Sequence, residues 1–104
     1  MRILYRPSFY EDLEAGVQDL AEKASARVAT RWADAVQRTI ARLPMHPGLG
    51  RRRADLTPPG ARSLSVDDFP RYLIFYVWHE SEQTVEIVRI LYGMMDLPRH
   101  LPPR

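Results

Sequence analysis

Apolar residues recur along this chain with two different periods, and the change from one to the other marks out its elements. Phe9, Leu13, Val17, Leu20 and Ala24 fall at helical spacing, and Val28, Trp32, Val36, Ile40 and Leu43 form a second stripe of the same kind. From Arg62 onward the texture changes. The runs Arg62–Val66, Tyr72–Trp78 and Val85–Tyr92 are rich in β-branched and aromatic residues. Asp67-Asp68-Phe69-Pro70 and Glu80-Ser81-Glu82-Gln83 stand at the breaks between them. This is the pattern of three strands in a meander. The middle run is apolar at every position, as expected of a strand that is central or covered on both faces. A further short strand is predicted at residues 2–6, ended by Pro7, which cannot donate to a ladder.

The helix boundaries have their own signals. Ser8 is placed to cap the first helix, with Glu11 three residues on to complete a capping box and Asp12 favouring the N-terminal end, giving a helix over 8–24. Ser25 offers a second cap, and Pro44 stops the second helix. Two helices joined by almost nothing form an antiparallel hairpin whose stripes face a common core. Strand up, helix down and helix up bring the next strand in antiparallel to the first. The expected fold is therefore α+β in the order β-α-α-β-β-β, one domain over residues 1–104, with the hairpin packed on an antiparallel four-stranded sheet. The carboxylates of the first helix are expected to face water, paired with arginines at helical spacing.

Between Pro44 and Pro59 the periodicity stops. Pro44-Met45-His46-Pro47-Gly48-Leu49-Gly50 is turn-rich, Arg51-Arg52-Arg53 is a basic knot, and Thr57-Pro58-Pro59-Gly60 closes the segment. Loops on rigid scaffolds often carry function, and three adjacent arginines suit an anionic partner. After Tyr92 the tail from Gly93 to Arg104 is too rich in proline for a helix. Two arginines stand among apolar strand positions. Arg62 shares a face with Leu64 and Val66, and Arg89 shares one with Val85, Ile87 and Leu91. Each either lays its stem along the sheet at a strand end or is held over a functional surface.

Composition narrows the classes of function. At 104 residues, 45% hydrophobic and 27% charged, the chain has the make-up of an ordinary soluble domain. No apolar run approaches the roughly 18 residues of a membrane span, the N-terminus leads into a strand-like segment and not into a signal peptide, and the absence of cysteine suits a cytoplasmic protein. There is no cysteine, and His46, His79 and His100 have no metal-ligand spacing, so neither a disulfide, a metal nor another cofactor is expected. Net charge is only +2, yet Lys23 is the single lysine among 15 basic residues. That arginine excess fits either a phosphate- or carboxylate-bearing partner or a GC-rich genome.

No glycine-rich phosphate loop, serine nucleophile elbow or paired-carboxylate motif is present. Metal-free phosphodiester cleavage would need a base, an acid and cations for the developing charge, for which Arg62, Arg89, His79 and Tyr92 are the residue types available.

Three segments carry a family resemblance that covers nearly the whole chain. They are Leu43-Pro44 with Pro47-Gly48-Leu49-Gly50-Arg51, Arg62-Ser63-Leu64 with Phe69-Pro70-Arg71-Tyr72-Leu73-Ile74-Phe75-Tyr76, and Ile87-Val88-Arg89-Ile90-Leu91-Tyr92-Gly93-Met94-Met95-Asp96-Leu97-Pro98. With the element order, they resemble the RelE/ParE superfamily of type II toxin–antitoxin toxins, in its ParE-like branch. The resemblance implies a bacterial toxin of the plasmid-stabilisation kind, neutralised in a hetero-oligomer by an antitoxin encoded next to it. RelE-like members are ribosome-dependent mRNA endonucleases, and the positions that match their late arginine and C-terminal tyrosine fall near Met95 and Leu101 here. Neither side chain can stabilise a phosphorane or move a proton. ParE-like members lack that constellation and poison DNA gyrase by binding. This side fits better, although the common ending His-Gly-x-Arg-Asp is here Tyr92-Gly93-Met94-Met95-Asp96. The reading that follows is a non-enzymatic gyrase inhibitor with no direct sequence-specific contact to nucleic acid. Two alternatives stand beside it: a RelE-like nuclease using Arg62, Arg89 and Tyr92, and a degenerate toxin that only binds its antitoxin. Partner-binding positions expected on this basis are Arg51, Arg52, Arg53, Arg62, Leu13, Val17, Trp32 and Val36.

Overall fold

The structure is a computed structural model that describes residues 1–54 and 59–93. Strand β1 (Arg2–Tyr5) leads into helix α1 (Pro7–Lys23) and helix α2 (Ala26–Ala41). Strands β2 (Arg51–Arg52), β3 (Ala61–Val66), β4 (Phe69–His79) and β5 (Thr84–Tyr92) follow, with a single 3₁₀ turn at Glu80–Glu82 before the last. The expectations for residues 57–58 and for the tail after Gly93 lie outside the described residues.

The sheet has five strands in the order β1-β5-β4-β3-β2, one more than the sequence pattern predicts. The extra strand also changes the polarity. The strand that follows the helices does run antiparallel to β1, but it is the two-residue β2. Its insertion reverses each of the three strands that come after it, so β5 lies parallel to β1, pairing Arg2 with Thr84 and Tyr5 with Ile87. The remaining pairs are antiparallel, and the sheet is mixed rather than wholly antiparallel.

Strand β4 is central and buried on both faces, as its unbroken apolar run implies. Ile74 and Tyr76 face the helices with Trp32, Val36, Ile40, Val85, Ile87 and Ile90, whereas Phe75 and Val77 join Ala61, Val88 and Leu91 in a second cluster. Strict alternation fails in β5. Tyr76 pairs with Ile87 and Phe75 with Arg89, which leaves Val88 as the extra residue of a β-bulge. The inserted residue shifts the alternation by one, so Val85 and Ile87 fall in the first cluster and Leu91 in the second, and the three do not form one face with Arg89, which pairs opposite Phe75 and reaches Asp12 of helix α1.

The second helix follows its signals: Ser25 is the N-cap, its Oγ accepting the Val28 N–H at 3.1 Å. The first does not. Helix α1 starts on Pro7, a residue suited to the first helical position, with Arg6 as an N-cap whose side chain makes no capping hydrogen bond. The expected Ser8–Glu11 capping box is replaced by a longer contact, in which Ser8 Oγ donates to the Val88 carbonyl at 2.7 Å. The turn between β3 and β4 is tighter than predicted. It occupies Asp67 and Asp68, with Asp68 in the left-handed region (φ 67°) that aspartate tolerates. Arg42 and Arg38 of the hairpin reach the two carboxylates, and Thr39 Oγ1 accepts the Asp67 N–H, locking this turn to α2.

Candidate functional site: a cleft beside the first helix and a basic corner

Helix α1 is tied to the sheet through backbone groups that β1 leaves uncovered. Strand β1 accompanies β5 only as far as Ile87. Past that point the Arg6 N–H donates to the Ile87 carbonyl, Ser8 takes the Val88 carbonyl, and Asp12 Oδ2 accepts the Ile90 N–H at 3.0 Å. Asp12 also receives both arms of Arg89, at 2.8 and 2.6 Å, a bidentate pair with side chains only 11% and 22% exposed. The hydrogen bond that Arg89 donates to Asp12 raises the Arg89 pKa above its ordinary value, outweighing the cost of burying it. The first helix's carboxylates therefore do not all face water: Asp12 is turned inward and its partner lies 77 residues away. Asp19 does follow the helical-spacing expectation, in its pairing with Lys23 at 2.8 Å, although the cation is lysine.

Beyond Asp12 the helix and the sheet enclose a cleft of about 840 Å³, with Gly16, Leu20 and Lys23 on one side and Tyr72, Ile90 and Tyr92 on the other. Gly16 is required for close contact with the core here, since a Cβ at that position would stand 2.3 Å from Trp32 Cη2. Tyr72 packs on Trp32 (ring centroids 5.2 Å apart) and meets Tyr92 edge-on at 5.3 Å. Burial raises the Tyr72 pKa, and the negative charge of Asp19 adds to it, so the phenol is neutral at physiological pH. Along β5 successive backbone groups point to alternate sides. The Ile90 N–H faces α1, and Gly93 donates back to Arg71 of β4. Tyr92 therefore presents its N–H and carbonyl to the open side, as a short stretch of strand edge lined by aromatic rings.

At the opposite edge of the sheet is the basic segment. The loop from Pro44 to Gly50 is fastened by Tyr76, whose buried hydroxyl donates to the Pro47 carbonyl at 2.8 Å and accepts the Gly50 N–H at 2.7 Å. Arg62 Nη1 donates to the Gly50 and Gly48 carbonyls at 2.9 and 3.3 Å. A side chain at Gly50 would collide with that same tyrosine, whose Cε1 lies 2.7 Å from an ideal Cβ. Arg51 and Arg52 are exposed, and Arg53 is half-buried and donates to Ser63 Oγ.

The proposed nuclease residues are not assembled into one site. Arg62 holds the loop, Arg89 is paired with Asp12, and Tyr92 accepts from Arg71 at 3.2 Å. Only Arg89 and Tyr92 share the cleft. His79 is bound to Glu86, which Arg6 also contacts. Burial pushes the Glu86 pKa up, but the hydrogen bonds from His79 and Arg6 overcome this and hold it below the usual carboxylate value. Among the described residues no three potential metal ligands come together, and no helix is long and apolar enough to cross a membrane.

Among the expected partner-binding positions, Leu13 and Val17 lie half-buried beside the core, while Trp32 and Val36 are 1% and 0% exposed and present nothing to a partner. The stripe of a helix marks the side it buries, and on α2 that side is wholly inside. Sequence reasoning passed over Asp12, Tyr72 and the Tyr76 hydroxyl. One signal was available: a glycine in mid-helix, Gly16, one turn after an aspartate on the same face, marks a close approach.

Known proteins resemble this chain over most of its length. Residues 3–97 match the family model described as ParE toxin of the type II toxin–antitoxin system, parDE. Toxin ParE3 of Caulobacter vibrioides is 32% identical over 90 residues, covering 86% of this chain and 84% of that protein. A solved structure described as the chromosomal ParDE TA system from P. aeruginosa superposes with a TM-score of 0.73 at 16% identity, over 88% of this chain and 95% of its own. At that identity the superposition speaks for the fold.

Proposed function

Because the chain belongs to the ParE toxin family of type II toxin–antitoxin systems, we propose that it inhibits DNA gyrase by binding in the cytoplasm, without catalysis, and is neutralised by an antitoxin encoded beside it. The observation that carries the antitoxin half of this reading is the cleft between α1 and β5. It is apolar in its floor, aromatic on its wall and open along one strand edge. An antitoxin tail that is disordered alone gains most from such a surface, because backbone hydrogen bonds and apolar burial together offset the entropy of ordering it. Leu13, Val17 and Leu20, half-buried against the core, supply the apolar strip, and the chain's arginines favour an acidic partner at the rim.

The dispersal of Arg62, Arg89 and Tyr92 favours binding over RNA cleavage, because an in-line displacement needs its acid, base and cation around one phosphate. The test is a gyrase supercoiling assay with purified protein, run beside a translation reaction probed for mRNA cuts. Inhibition of supercoiling that is reversed by the neighbouring gene product, with no cuts, is the expected result. Ribosome-dependent cleavage would sink the gyrase reading. Antitoxin binding without any effect on gyrase would identify a chain that retains only the regulatory half.

A further inference from the structure

Six large hydrophobic side chains are exposed among the described residues, and they fall in two places. Met1, Leu4, Tyr5 and Tyr10 surround β1 at one edge of the sheet, whereas Met45 (80% exposed) and Leu49 (43%) sit on the loop before β2 at the other. The second site is unusual in being both exposed and firmly held. A buried tyrosine hydroxyl, two hydrogen bonds from Arg62, a glycine that admits no side chain and two prolines fix the loop. Its apolar residues nonetheless contribute almost nothing to the core. Arg51 and Arg52 follow at once, exposed and without a carboxylate partner among the described residues.

We propose that this Met45–Arg52 corner is a preformed docking surface for a folded protein partner that offers an apolar pocket rimmed by carboxylates. Met45 and Leu49 enter the pocket, and Arg51 and Arg52 pair with the rim. Charge alone would suit a nucleic acid equally, but two exposed aliphatic side chains gain nothing from a phosphate backbone, so a protein is the better match. Rigidity bears on which protein. A loop frozen during folding loses little further entropy on binding, so it suits a partner that is itself folded. The cleft at the other side of the sheet suits a tail that orders as it binds. Resting on the reading given under Proposed function, the corner is assigned to the toxin's target and the cleft to its antitoxin. The two partners then meet opposite edges of one sheet.

The experiment compares wild type with Met45→Ser/Leu49→Ser, with Arg51→Glu/Arg52→Glu, and with Tyr10→Ser as a control at the far edge. For each, the concentration giving half-maximal inhibition of gyrase supercoiling is measured together with the melting temperature and the affinity for the neighbouring gene product. Both corner variants are expected to need about tenfold or more protein for inhibition, the size of effect typical of losing an interface anchor. Melting and antitoxin affinity should stay within about twofold of wild type in equilibrium terms, as for ordinary surface substitutions. Unchanged inhibition by the Met45→Ser/Leu49→Ser variant overturns the inference while leaving the gyrase reading intact. Loss confined to the arginine variant overturns it in favour of an electrostatic contact, and a parallel loss of antitoxin affinity reassigns the corner to the antitoxin. If wild type itself leaves gyrase untouched, the gyrase reading fails and this inference falls with it.

Discussion

The two helices of the hairpin are 17 and 16 residues long and have opposite relations to the core. Helix α2 buries Ala29, Trp32, Ala35, Val36, Thr39 and Ile40 completely, whereas α1 buries only Phe9. What α1 lacks in apolar burial it makes up in directed polar contacts: Arg6, Ser8 and Asp12 between them take three backbone groups of β5 and the Arg89 side chain. Hydrophobic burial is non-directional and scales with area, so α2 can be held without specifying any one atom. Hydrogen-bonded attachment fixes position while leaving the remaining flank of the helix open, and that flank is where the cleft lies. Apolar burial and directed attachment are thus divided between the helices, one closed into the core and one left with an open flank.

The largest expected effect tests the closed helix. Trp32→Ala removes the biggest buried side chain of α2 and should cost about 3–5 kcal/mol, a large share of the roughly 5–15 kcal/mol of a typical domain. Chemical denaturation reads it, and a loss below about 1 kcal/mol would mean that α2 is not the anchor described here. Trp32→Phe sharpens the point. Trp32 Nε1 is buried without a hydrogen-bond partner among the described residues, so phenylalanine gives up volume but also removes an unsatisfied donor, and it should be far milder than alanine.

Next comes the attachment of the open helix. Asp12→Ala removes the acceptor of the Ile90 N–H and the bidentate contact to the mostly buried Arg89 guanidinium, and should cost about 2–3 kcal/mol. The loss should be uneven: amide exchange should accelerate in α1 well before α2. Uniform acceleration across both helices would show that the two are one cooperative unit and would break the comparison. Third, Ser25→Ala removes the side-chain cap of α2 and should cost about 1 kcal/mol, measurable as a shift in denaturation midpoint with no effect on antitoxin affinity.

What the sequence shows of this fold follows the same division. The α2 stripe and its Ser25 cap are legible because both depend on neighbours three or four positions away. The meander is legible because its strands are β-rich and its turns carry Asp, Pro and Glu. The polarity of the sheet is not, since it turns on Arg51–Arg52, two basic residues with no strand pattern, whose presence reverses every strand after them. Nor is the bulge: Val88 and Ile87 are both apolar, and either alternation through them is plausible until the partner strand is known. Asp12 and Arg89 are 77 positions apart, and nothing local in either one names the other. The same holds for Tyr76, whose hydroxyl is hidden in a run of seven residues that all read as core. Arg62, read as an edge or functional arginine, is a loop brace, a role that depends on two glycine carbonyls elsewhere in the chain.

The smallest predicted effect concerns pH, and it distinguishes the helices by the kind of force that holds them. Arg6, the residue at the start of α1, contacts Glu86 of β5, and His79 Nε2 lies 2.9 Å from the other carboxylate oxygen. Although burial alone would raise it, Glu86 is held below the usual carboxylate pKa by those two partners. A carboxyl group whose folded pKa is depressed binds its proton more readily when unfolded. Its contribution is therefore present above the unfolded value, roughly 4.3, and is lost as pH falls through the lower folded value. For a pair with one exposed member the amount is about 1 kcal/mol or less. On acidification below that range wild type should lose this increment, and Glu86→Gln should not, so the two stability curves converge at low pH and separate above it. Exchange rates give the location. Acid should loosen the start of α1, around Arg6 to Phe9, while the amides of α2, held by apolar contact, keep their protection. Curves that run parallel from acid to neutral pH would mean that the Arg6–Glu86–His79 contact contributes nothing to the fold, and that α1 is held by its other contacts, those of Ser8, Asp12 and Phe9 among them.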